Sequence, residues 1–141
     1  MLEGLGFGCD VGTKRMGLAV GGGTAWIAPR PLGSLSLRSG QPPWDEFDRL
    51  VDRYAPSFFV FGLATAADGR PGRTSAMTHL LAEEIRMRYT VAVHFVDEAY
   101  STEEGRRLGG SDPRRRGSWR DKDATAACII LASWLAQCPA P

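Results

Sequence analysis

Hydrophobic and polar positions divide the chain into short apolar runs first and helical stripes later. Leu5 to Asp10 and Met16 to Gly21 are two apolar runs on either side of Gly12-Thr13-Lys14-Arg15. That pattern predicts two strands joined by a tight hairpin. Trp26 to Leu35 extends as a third strand, with Pro29 and Pro31 pushing it toward a sheet edge. Ser36 to Pro43 is a short Ser, Gly and Pro loop. Trp44, Phe47, Val51 and Tyr54 then recur at helical spacing between charged residues, and Pro56 stops that helix. Phe58 to Leu63 is a nearly continuous apolar run, as in a strand buried on both faces. A second helix is expected from about Arg73 to Arg88, burying Met77, Leu80, Leu81 and Ile85. Val91 to Val96 reads as another buried strand.

Asp97 and Glu98 end that strand, and Ser101 with Glu104 forms a capping box opening a short helix. Gly109 to Trp119 is a loop, and a last helix from about Asp121 to Gln137 is apolar nearly all round, so it should lie deep. Three strands followed by strand-helix units require an antiparallel meander continued by parallel, right-handed crossovers. The fold class is α/β, a five-stranded mixed sheet with helices on both faces. A length of 141 residues suits one domain, residues 1–141, and 43% hydrophobic residues supply a core.

Chemistry concentrates at strand ends. Asp10 ends the first strand beside Gly8, Gly12 and Gly17, glycines that let a backbone or ligand come close. Thr13, Lys14 and Arg15 place a hydroxyl and two cations next to it, a pairing suited to metal and phosphate. Glu98 ends the last strand, and alternation turns Asp97 to the other side. Asp123 shares a helical stripe with Ala126, Ala127, Ile130, Leu131 and Trp134, where a carboxylate is costly unless paired or metal-bound. The bland alternative for Asp123, helix capping, is filled equally well by Asp121. Three acids without a Cys or His cluster suit Mg²⁺ or Mn²⁺.

Net charge is only +1, so affinity for nucleic acid must come from local clustering. Arg106, Arg107, Arg114, Arg115, Arg116 and Arg120 supply such a cluster, and Arg114, Arg115 and Arg116 are the expected phosphate grip. No apolar run approaches the ~20 residues of a membrane span, and the first residues lack signal-peptide character. Cys9 and Cys128 sit in apolar segments and read as buried thiols. A reduced, cytoplasmic setting without membrane partners is expected; the oligomeric state, monomer or weak dimer, is left open.

Phe7-Gly8-Cys9-Asp10-Val11-Gly12-Thr13-Lys14-Arg15-Met16-Gly17-Leu18-Ala19-Val20 resembles the opening motif of the YqgF/RuvX family. Val60-Phe61-Gly62-Leu63 with Asp68-Gly69, then Asp97 to Glu104, then Asp123 to Leu131, are similar to its second, third and fourth motifs. The resemblance spans essentially the whole chain. It implies an RNase H-like fold and a two-metal nuclease with Asp10, Glu98 and Asp123 as metal-holding, catalytic acids. It also implies pre-rRNA as partner, in 5′-end maturation of pre-16S rRNA, with a Holliday-junction resolvase on four-way DNA as the alternative. Ala64 stands where the family has Pro, Ala66 where Asn is usual, and Ala99 where Arg is common. Those departures touch substrate contacts and spare the acids. Two further classes compete. Asp-x-Gly-Thr also opens the phosphate loop of actin-like and sugar-kinase ATPases, which need a second similar domain that 141 residues cannot hold. A non-catalytic RNA-binding module would bind RNA and leave it intact.

Overall fold

A computed structural model of the chain describes residues 4–23, 26–64, 69–97 and 121–138. Its strands are β1 (Leu5–Val11), β2 (Arg15–Gly22), β3 (Ile27–Ser36), β4 (Phe58–Leu63) and β5 (Ala92–Asp97). Its described helices are α1 (Trp44–Tyr54), α2 (Ser75–Tyr89) and α3 (Lys122–Gln137). The short helix expected from Ser101 and the arginine loop lie outside the described residues.

The five strands form one sheet in the order β3-β2-β1-β4-β5. β1–β2 and β2–β3 pair antiparallel, whereas β1–β4 and β4–β5 pair parallel. Strand alternation sorts the side chains into two layers. Phe7, Cys9, Val11, Met16, Leu18, Phe59 and Phe61 join one core with Phe47 of α1 and Leu81 and Ile85 of α2. On the other face Phe58, Val60 and Val96 pack with Ile130, Leu131 and Leu135 of α3, and Ala19 with Ala127 and Cys128. The apolar run of β4 is thus buried on both faces, as its composition requires.

The helices show why the sequence pattern was readable and where it misled. In α1, Phe47 is fully buried while Trp44, Val51 and Tyr54 pack against the same core. Ala55 takes the left-handed conformation at φ 46° and its N–H donates to the Val51 carbonyl, closing the helix before Pro56. In α2 the buried stripe is Thr78, Leu81, Ala82 and Ile85; Leu80, expected inside, is 69% exposed. A Leu-Leu pair on a helix can bury only one member when the stripe is narrow. The last strand departs too: β5 lies at the sheet edge, and only Val96 in it is fully buried.

Candidate active site

The site is built by α3 lying on bare backbone. Gly8 of β1 and Gly17 of β2 face this helix. A Cβ on Gly8 would stand 2.4 Å from the Ala127 carbonyl oxygen, and one on Gly17 would stand 1.9 Å from that of Asp123. Any side chain at these two positions would push the helix away. The first turn of α3 is therefore seated directly on the strand that pairs with β1.

Asp10 is brought to the same place. It alternates with Cys9 and Val11, which enter the opposite core, and shares the α3 face with Gly8. Its register partner across the sheet is Gly17. One glycine thus has Asp10 beside it in the sheet and the Asp123 backbone above it. On the other flank, Cys9 pairs with Phe61 of β4, so the next residue along, Gly62, presents a hydrogen rather than a side chain beside Asp10. Gly62 in turn pairs with Val96 of β5. β1 and β5 are parallel, as expected, but β4 lies between them, so an acid ending β5 must reach across that strand. Asp97 shares the face of Val93, away from α3, by alternation with the buried Val96. Glu98 itself lies outside the described residues, as do Arg114, Arg115 and Arg116.

Asp121 and Asp123 divide their work cleanly. Asp121 is the N-cap of α3, its Oδ1 accepting from the backbone N–H groups of Asp123 and Ala124, both at 3.0 Å. Asp123 is thereby released from capping. The centre of the buried stripe runs through Ala124, Ala127, Cys128 and Leu131, and Asp123 sits at its margin rather than in it, with 31% of its side chain exposed. Its Oδ2 lies 3.2 Å from Arg15 Nε. Sequence reasoning grouped Arg15 with the phosphate-holding residues and missed this pairing; the hairpin and helix are 108 positions apart and no local pattern links them. Thr13, Lys14 and Arg15 are all exposed at the β1–β2 turn. The turn is closed by Gly12 N–H to the Arg15 carbonyl at 2.8 Å, and Leu37 N–H to the Lys14 carbonyl at 2.7 Å ties it to the end of β3.

The donor set suits a hard cation. Cys9 is fully buried in the opposite core, and burial, then the Asp10 charge, push its thiol well above the usual range, so it offers no thiolate. His94 is on the α3 face but is stacked on Trp134, ring centroids 4.2 Å apart. The carboxylates of Asp10 and Asp123 are oxygen donors of the type a hard cation takes, and the Arg15 guanidinium already offsets the charge of Asp123. Among the described residues no three His, Cys, Asp or Glu side chains form a cluster able to hold a metal ion; the third acid expected there is Glu98.

This sheet order, three antiparallel strands continued by two parallel ones with helices on both faces, is that of the RNase H-like fold. Two solved structures share the fold. A T. thermophilus RuvC in complex with Holliday junction substrate gives a TM-score of 0.59 at 13% identity, over 93% of this chain and 92% of that one. A Thermus thermophilus RuvC structure gives 0.55 at 14%, over 94% and 95%. A family model described as "RuvX: Holliday junction resolvase" matches residues 5–137, and the chain belongs to that family. A protein of Legionella pneumophila strain Philadelphia 1 named "Putative pre-16S rRNA nuclease" is 33% identical over 138 residues, 97% of this chain and 99% of that relative. One of the same name from Pseudomonas putida is 35% identical over 130 residues, 91% and 92% of the two chains. No helix among the described residues is long and apolar enough to cross a membrane.

Proposed function

We propose that this protein is a metal-dependent endonuclease that hydrolyses phosphodiester bonds in RNA, acting in 5′-end maturation of pre-16S rRNA. The observation that carries the reading is the position of Gly17, which sets Asp10 and Asp123 on one face at one end of the sheet. Asp10 and Asp123 would hold Mg²⁺ or Mn²⁺ together with Glu98. A bound pair of such ions supplies an activated water and charge stabilisation for the leaving oxygen. The rest belongs to the chain. The three carboxylates fix where that chemistry happens. Thr13, Lys14 and Arg15, exposed on the adjoining turn, hold the phosphate backbone, and Arg114, Arg115 and Arg116 extend the grip without reading bases. The ribosomal-RNA assignment follows the names of the relatives and the cytoplasmic setting expected from sequence.

The family description favours a second reading, resolution of four-way DNA junctions. Cleavage assays with Mn²⁺ on a 5′-extended 16S rRNA fragment, a four-way DNA junction and linear duplexes separate the two. Cleavage of the RNA in preference to the junction is expected. Preferential cutting of the junction would transfer the assignment to DNA. Binding of RNA without cleavage in any metal would leave a non-catalytic RNA-binding module.

A further inference from the structure

The Arg15–Asp123 pair joins an acid with a seated backbone to a movable cation. The backbone of Asp123 is seated on Gly17, which holds the first turn of α3 in place. Arg15 is anchored at its backbone, in register with Ser36 on β3, but its side chain is 66% exposed. Exposed pairs of this kind are weak, worth a factor of about five at most. A divalent cation on the same carboxylate carries twice the charge and repels the guanidinium.

We propose that Arg15 is a displaceable counter-ion of Asp123, which surrenders the carboxylate to the divalent cation and then grips the phosphodiester of the bound nucleic acid. The inference rests on the metal-site reading above and adds an order of events to it. The guanidinium is permanently charged, and its planar fork matches a phosphate in two hydrogen bonds, as it matches a carboxylate. Before the metal arrives, Arg15 offsets the negative charge of Asp123. Once the metal arrives, the freed arginine stands beside the acids that hold it. Metal and nucleic acid then strengthen each other's binding, by the same factor in both directions.

The test measures Mn²⁺ affinity without nucleic acid, by calorimetry or by the electron paramagnetic resonance of free Mn²⁺. Wild type, Arg15→Gln, Lys14→Gln and Asp123→Asn are compared, with circular dichroism confirming the fold of each. Arg15→Gln should bind Mn²⁺ about two- to fivefold more tightly, the gain shrinking as salt rises. Lys14→Gln removes the same charge from the neighbouring residue and should stay near wild type. In a second measurement, RNA affinity is read by anisotropy with Ca²⁺ and with chelator. The metal-dependent gain of wild type should fall severalfold in Arg15→Gln. Unchanged or weaker Mn²⁺ binding by Arg15→Gln, or an equal gain in Lys14→Gln, would overturn the counter-ion role. Mn²⁺ binding by Asp123→Asn equal to wild type would instead overturn the metal-site reading beneath it.

Discussion

Asp10 and Asp123 are the two described side chains on which the proposed chemistry turns. Asp10→Asn is nearly isosteric and leaves β1 paired through its backbone to Gly17. It should keep the fold and lose metal-dependent cleavage by roughly a hundredfold or more, since metal charge stabilisation is worth several kcal/mol. Single-turnover cleavage rates alongside thermal melts check this, and full activity would give the opening motif another use. Asp123 stood out in the sequence because a carboxylate on an apolar helical stripe needs a reason and Asp121 could account for the cap; the cap is as expected, but Asp123 lies at the margin of the stripe. Its ion pair with Arg15 was not legible, because the two side chains meet only when a hairpin near one end and a helix near the other are folded together.

At the scale of elements, the seat of α3 on β1 and β2 decides whether the acids meet. Gly17→Ala would place a methyl group 1.9 Å from the Asp123 carbonyl oxygen, so helix or strand must shift. Overpacking of this kind costs about 1–3 kcal/mol. Because the shift moves Asp123 relative to Asp10, cleavage should fall further than stability does, on the order of a hundredfold for a displacement of ~1 Å. Urea unfolding and cleavage rates of the same preparation test it; a fully active variant would mean the seat does not set the site. The glycines at 8 and 17 could be read from sequence as places of close approach, but not that a helix backbone would fill them. Strand directions could be reasoned from the alternation of elements, whereas the insertion of β4 between β1 and β5 and the exposure of β5 could not. An apolar strand looks alike at an edge and in the centre, and only its position in the sheet distinguishes them.

Across the whole molecule, the two helices on the other face are tied together by Asp48 in the middle of α1 and Arg88 and Tyr89 at the C-terminal end of α2. Arg88 donates from Nε at 2.9 Å and Nη2 at 2.7 Å to the two oxygens of Asp48, and the Tyr89 hydroxyl donates to the same carboxylate. The Arg88 hydrogen bonds, then the Tyr89 one, lower the Asp48 carboxyl from 3.8 to about 2. A carboxyl lowered on folding stabilises above its unfolded value and loses that contribution as pH falls, here between about 4 and 2. Asp48→Asn should therefore flatten the acid limb of the stability profile in that window and leave the slope near neutrality unchanged, as urea unfolding against pH would record. An unaltered acid limb would show that the pair is only solvated.

The run of Arg114, Arg115 and Arg116 would likewise act on the substrate as a polyanion rather than on any one base. Changing all three to Ala should weaken RNA and DNA binding alike and lower the salt slope by roughly 0.7 to 0.9 for each phosphate no longer neutralised. Cleavage at saturating substrate should change little. Affinity across a salt series gives the answer, and unchanged slopes would remove these arginines from the binding surface.

In the reading proposed above, Asp10, Glu98 and Asp123 form one metal-dependent site for cutting nucleic acid. Its most direct test is the Mn²⁺-dependent cleavage rate of a 5′-extended 16S rRNA fragment by wild type, Asp10→Asn, Glu98→Gln and Asp123→Asn under single-turnover conditions. Wild type should cleave only with metal, and each variant, still folded, should fall by about a hundredfold or more. Cleavage that survives in any one of the three variants, or persists in wild type after chelation, would contradict it.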